Sequence, residues 1–238
     1  MNRRQPSTQL GLATVLAILA AGVEAAPVIT NGGFESGLTG WSVSNLTGGF
    51  GTFSSQTGTA SPVNGNAVPP APGGTRAAMS DGEGPGSHVL YQDFVASSGA
   101  NTLSFDLFIG NRGDRFTTPA TLDFSIAAIN QQLRVDIIKT TADLFSLTAA
   151  DILQTLYTSE VGDPLVSGYR TINVDVSGLL AANDGQTLRL RFAEVDNLAP
   201  LQLGVDNVGF GQVPEPATLL LAGTALLALR GMRWRATV

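Results

Sequence analysis

The chain of 238 residues has no cysteine and a single histidine, His88. Without cysteine there is no disulfide framework, and a zinc site, which needs several Cys or His ligands, is out of reach. A Ser–His–Asp triad would have to use His88, which lies in "GPGSHVLYQ" at the start of a strand pattern, and no G-x-S-x-G elbow occurs. Lysine is almost missing as well, Lys139 being the only one. Between Ala26 and Val213, a stretch of 188 residues, eight basic side chains face seventeen acidic ones, a net charge of −9. Nothing there offers a cationic face to phosphates, so nucleic acid is not an expected partner. No apolar run reaches the roughly 20 residues of a membrane span.

What is present begins with two shorter apolar runs, one at each end. Arg3 and Arg4 precede "LGLATVLAILAAG" (Leu10 to Gly22), and "VEA" (Val23 to Ala25) follows. A basic start, a short apolar stretch and a small-residue site make residues 1–25 a secretory signal peptide, with cleavage expected after Ala25. At the other end, "VPEPATLLLAGTALLALRGMRWRATV" joins an uncharged run, Ala217 to Leu229, to Arg230, Arg233 and Arg235.

Between the ends, period-2 patterning dominates. Leu103, Phe105, Leu107 and Ile109 alternate with polar neighbours, as do Leu122, Phe124 and Ile126; Leu133, Val135 and Ile137; Ile172, Val174 and Val176; and Leu188, Leu190 and Phe192. Such runs predict half-buried strands, and "NRGD", "VSG" and "NDG" mark turns between them. Many short alternating strands with polar outer faces imply antiparallel sheets packed as a sandwich. "LTAADILQTLYTSE" departs from the pattern and predicts a short helix over Ala149 to Thr158, with Thr148 and Asp151 as a capping box. The Gly-, Ser- and Pro-rich stretch from Gly48 to Gly86 reads as long surface loops around one or two strands. The expectation is one all-β domain over residues 26–212: a jelly-roll-like antiparallel β-sandwich with one short helix. An N-terminal signal helix and a C-terminal apolar sorting helix flank it.

The opening "PVITNGGFESGLTGWSVS" and the closing "LQLGVDNVGF" together resemble the galactose-binding-like β-sandwich modules, which include many carbohydrate-binding modules. The resemblance implies that Phe34 and Trp41 are core residues, with a Gly pair before Phe34 allowing a tight bend. It also implies that the opening and the final strand lie side by side, bringing Glu35 and Asp206 together at the seam where the first and last strands pair. In relatives of this fold such acids, with backbone carbonyls, hold a structural calcium, so one calcium at Glu35 and Asp206 is an expectation. The alternative reading is a solvated Glu35 and an Asp206 bonded to a nearby amide.

The tail resembles the PEP-CTERM sorting signal: Pro214, Glu215 and Pro216, a short apolar helix, then the cluster Arg230, Arg233 and Arg235. This implies an exported protein of a Gram-negative bacterium, held transiently at the inner membrane with its arginines cytoplasmic. Its processing partner would be an exosortase, releasing it to the cell surface or matrix.

Catalytic chemistry is hard to find. Glycoside hydrolysis needs two carboxylates, but Asp106, Asp123, Asp136 and Asp175 alternate with core residues and read as solvated outer-face acids. "RGD" (Arg112 to Asp114) reads as a turn and "DGEGPG" (Asp81 to Gly86) as either a flexible loop or a small calcium loop. For sugar stacking the candidate rings are Phe50, Phe53, Phe116, Tyr157 and Tyr169. Phe116 and Tyr169 come first, because each sits beside turn residues. The expected role is a non-enzymatic surface or matrix protein associated with extracellular polysaccharide. A glycan-binding module and a purely structural protein both remain open, and an enzyme ranks below them.

Overall fold

The computed structural model describes residues 25–212; the expected signal and sorting helices lie outside the described residues. Ten strands form: β1 (Ser42–Asn45), β2 (Thr52–Thr57), β3 (Arg76–Asp81), β4 (Gly86–Val95), β5 (Ala100–Asn111), β6 (Gln131–Lys139), β7 (Ile152–Thr158), β8 (Arg170–Asp175), β9 (Thr187–Asp196) and β10 (Leu201–Gln212). A single helix, α1 (Ser177–Ala182), connects β8 to β9. One sheet has the order β1-β4-β9-β6-β7 and the other β2-β3-β10-β5-β8. Every pairing is antiparallel.

The alternating residues explain the packing. Leu188, Leu190 and Phe192 of β9 meet Leu103, Phe105 and Leu107 of β5 in one core, which Leu133, Val135 and Ile137 of β6 join. Phe105 and Phe192 contact edge to face with centroids 5.5 Å apart, the arrangement favoured by ring quadrupoles. Phe34 and Trp41 enter the same core, 5.1 Å apart. The bend before them is made differently from the expectation. Phe34 itself takes a left-handed φ of 54°, as does Asn31 at 52°. Gly32 instead permits close approach: a Cβ there would lie 1.9 Å from the Val208 carbonyl, and the Val208 amide donates to the Gly32 carbonyl at 2.9 Å. Residues 27–41 thus dock on β10 through turns, and the expected pairing of first and last strands does not form: β1 pairs with β4, and β10 with β3 and β5.

Two expected elements change type. Residues 149–158 are not a helix; one turn forms, with the Asp151 and Ile152 amides donating to the Thr148 carbonyl, and the chain then extends as β7. β6 would otherwise present a row of unpaired backbone groups, and Ile152, Thr155, Tyr157 and Thr158 suit a strand. Sheet pairing therefore overrides the local helix signal. Residues 122–126 in turn form no strand. Asn197 Nδ2 donates to the carbonyls of Phe124, Ile126 and Ala128, and Asn130 Nδ2 donates to those of Thr121 and Asp123. Two side-chain amides replace the ladder, while Leu122 still buries against Val89, Ala193 and Val195. The one helix forms at α1, where "VSG" reads as a turn, and buries Leu180.

Candidate functional site

Glu35, in the opening, and Asp206, on β10, both accept hydrogen bonds from the loop at residues 73–76. Glu35 Oε1 accepts the amides of Thr75 and Arg76, both at 2.8 Å, and Oε2 accepts the Thr75 hydroxyl at 2.9 Å. These bonds hold its carboxyl below the usual range, backbone donation from Thr75 being the largest cause. Asp206 accepts the amides of Gly73 at 3.0 Å and Asn207 at 2.7 Å. Desolvation outweighs those bonds and pushes it up to about 6. Calcium wants six to eight oxygens with free lone pairs facing the ion. Here every carboxylate oxygen already faces an N–H or O–H donor. Among the described residues no group of three or more His, Cys, Asp or Glu could hold a metal. The two carboxylates serve as a latch for the 73–76 loop. Gly74 is required there, since a Cβ would lie 2.4 Å from Glu35 Oε1 on a backbone with φ of 61°.

Phe116 is fully buried in the main core and cannot be a sugar platform. Tyr169 is half-buried: its ring packs on Phe108 at 5.8 Å and its hydroxyl donates to Gln56 Oε1 at 3.2 Å. Burial, then the charges of Asp206 and Asp106, push its phenol above the ordinary range. Both rings brace loops. Phe53 is buried too, and Tyr157 packs against the main core.

The outer-face acids are solvated only in part. Asp175 is exposed and Asp123 half-buried, and they accept from Ser177 and Ser125 at turns. Asp106 is buried between the Thr171 hydroxyl and the Asn207 amide. Asp136 is fully buried and receives Arg191 Nη2 at 2.6 Å, Arg134 Nη2 at 2.9 Å and the Thr155 hydroxyl at 2.9 Å. Arg191 Nη1 continues to the carbonyls of Leu144 and Ser146, tying residues 140–151 across the outer face as a strap.

A second set of acids faces the interior at one end of the sandwich. Glu194 and Asp196 continue the inward register of Leu188, Leu190 and Phe192, and His88 shares a face of β4 with Leu90. That alternation, continued two and four residues past Phe192, is the sequence signal for both acids. Glu194 is 1% exposed, its Oε1 has no hydrogen-bond partner, and burial followed by repulsion from Asp196 and Asp81 pushes it well up. Asp196 accepts the amides of Gly86 at 2.8 Å and Leu201 at 3.2 Å, yet burial raises it to about 7. His88 Nε2 lies 3.9 Å from Glu194 Oε2 but 2.9 Å from the Phe50 carbonyl, to which it donates. Burial lowers the imidazole to about 4 and raises the Glu194 carboxyl, disfavouring the charged form of each, while His88 Nδ1 lies 2.9 Å from Asn45 Oδ1. Behind Asp196 opens a recess of about 200 Å³, lined by Glu83, Pro85, Leu198 and Pro200 among others.

The tail lies outside the described residues and is read by comparison. Residues 212–236 match the family model for the PEP-CTERM protein-sorting motif. The chain carries a PEP-CTERM sorting motif. Pro214, Glu215, Pro216, Arg230, Arg233 and Arg235 all fall inside it, and the PEP-CTERM segment starts where β10 ends. Comparison with curated proteins returned no match. Among solved structures, the chain is similar to a family 61 carbohydrate-binding module in complex with β-1,4-galactotriose, at 10% identity and a TM-score of 0.46, covering 79% of this chain and 100% of that one. It is similar to a cleaved adhesin domain of Lys-gingipain from Porphyromonas gingivalis at 14% identity and 0.48, covering 78% and 99%. A family 11 carbohydrate-binding module from Clostridium thermocellum, in complex with a β-1,3-1,4-mixed-linked tetrasaccharide, aligns at 14% and 0.41, covering 77% and 95%. Likeness at this level carries no argument about ligands. Among the described residues no helix is long and apolar enough to cross a membrane.

Proposed function

We propose that this chain is an exported, exosortase-processed surface or matrix protein. Its β-sandwich is a non-enzymatic module that contacts extracellular polysaccharide, and it works without a structural calcium. The observation that carries the reading is the PEP-CTERM motif at residues 212–236. The motif follows β10 directly, so removal of the tail leaves both sheets intact. Glu194 is shut into the interior and does not line the recess, which supports a binding or scaffolding role over hydrolysis. In an exosortase-positive Gram-negative host, secreted material is expected to begin near Ala26 and to lack the segment beyond Pro216. Intact mass measures both ends at once; recovery of secreted protein still carrying Trp234 overturns the sorting reading. Release of reducing ends from a polysaccharide panel overturns the non-enzymatic one.

The purely structural reading rests on the burial of Phe116 and the bracing role of Tyr169, which remove the two rings first expected to stack on sugar. Full retention in the matrix by a protein that binds no polysaccharide in solution is the outcome that favours it.

A further inference from the structure

Phe50 is the only aromatic ring among the exposed large hydrophobic residues described, at 62% exposure. An exposed phenylalanine is ordinary by itself; what holds this one is not. Its amide donates to the Pro85 carbonyl at 2.9 Å, and its carbonyl accepts from the buried His88 ring at 2.9 Å. Three glycines of "DGEGPG" let that backbone in. A Cβ on Gly82 or Gly86 would lie 2.7 or 2.4 Å from the Phe50 carbonyl oxygen, and one on Gly84 would lie 3.0 Å from its ring. The segment read from sequence as a flexible or calcium loop is a seat for one residue. The backbone is gripped while the ring stays in water.

The ring and the recess are neighbours. Gly84 packs against the Phe50 ring and also lines the 200 Å³ recess, with Glu83 exposed on its rim and Leu198 partly exposed beside it. We propose that Phe50 and this recess form the polysaccharide contact site, Phe50 stacking on one pyranose face and Glu83 accepting from hydroxyls of the neighbouring sugar. The inference rests on the glycan-contact reading above and gives it a place and a ligand class. A sugar ring offers a C–H face to an aromatic ring and hydroxyl donors to a carboxylate, and this rim supplies one of each. A fixed backbone leaves only the side-chain torsions of Phe50 to be ordered on binding, which favours stacking. The class is neutral polysaccharide. Glu83 stands exposed on the rim of the recess, and uronic acid polymers would bring like charge against it.

The test uses the full secreted chain and affinity electrophoresis in gels containing soluble galactan, mixed-linkage glucan, xylan or alginate. Wild-type protein is expected to be retarded by at least one neutral polymer and not by alginate. Phe50→Ala is expected to weaken that binding about tenfold or more, about 1.4 kcal/mol or above. Phe50→Trp should retain it, and Glu83→Gln should weaken it less. Because the ring is exposed, an unchanged melting temperature for Phe50→Ala shows that its loss is not unfolding. Wild-type binding that survives Phe50→Ala overturns the site and leaves the glycan reading standing. Stronger retardation by alginate overturns the ligand class. No retardation of wild-type protein by any polymer overturns both the site and the reading beneath it.

Discussion

Asp136 and Glu194 are both buried acids on neighbouring strands, β6 and β9, and they are handled in opposite ways. On the outer face, Asp136 has Arg191 and Arg134 against its two oxygens and a hydroxyl besides. On the inner face, Glu194 has an orphan oxygen, two acidic neighbours and a histidine whose proton is directed elsewhere. The first acid sits between two guanidinium groups and, through Arg191, fixes the strap at residues 140–151. The second avoids the cost of buried charge by keeping its proton. Burial alone therefore does not say what an acid does; the cation count around it does.

The largest expected effect breaks the compensated side. Asp136→Ala leaves the Arg191 guanidinium buried with only two carbonyls, and removing one partner of a buried pair costs about 3–5 kcal/mol. Urea denaturation should show that loss, and Asp136→Leu combined with Arg191→Met should recover much of it. Additive losses in the double variant would mean the two residues do not act as a pair.

A smaller effect sharpens the uncompensated side. Glu194 and Asp196 have raised carboxyls, so the stability they carry is full below about pH 4 and is lost as pH rises through their folded values, about 7 for Asp196. His88, lowered to about 4, opposes them below roughly pH 6.5, where the unfolded imidazole takes up a proton. The acids Glu35, Asp123 and Asp175, outside the core, are lowered, and their contribution is lost only as pH falls below about 4. Between pH 6.5 and 8 the buried acids act unopposed. The urea midpoint should fall across that window by an amount worth on the order of 1–2 kcal/mol. Glu194→Gln should flatten the trend while keeping the fold. A midpoint that holds level or rises with pH contradicts the neutral-Glu194 account.

The smallest expected effect is none at all. With Glu35 and Asp206 serving amides, a chelator should leave the melting temperature where it was, and added calcium should not raise it. Glu35→Gln should still destabilise modestly by loosening residues 73–76. A calcium-dependent rise abolished by Asp206→Asn would restore the metal site.

Most strands were legible because alternation is a local pattern that burial enforces on both faces. Leu103 to Ile109 and Leu188 to Phe192 read directly. The misread segments are those whose conformation is set by a distant partner. β7 exists because β6 needs an edge neighbour, and residues 122–126 lose their strand to Asn130 and Asn197. The seam between Glu35 and Asp206 was legible through the resemblance of the two chain ends, but its chemistry was not, because loop 73–76 supplies the donors. Phe50 counted as one ring among five in the sequence. What sets it apart is the glycine seat, and that appears only once residues 49–51 are laid against 82–86.

β10 is the last strand of the sandwich in chain order and a middle strand of its sheet, bonded to β3 on one side and β5 on the other. Until it is in place, β2 and β3 have no connection to β5 and β8 through that sheet. Chains grow and are delivered from the N-terminus, and long-range strand pairing is slow. Completion of the sandwich therefore waits for residue 212, which is also where the sorting motif begins. Timing follows from topology: the domain closes last at the one point where its address is attached.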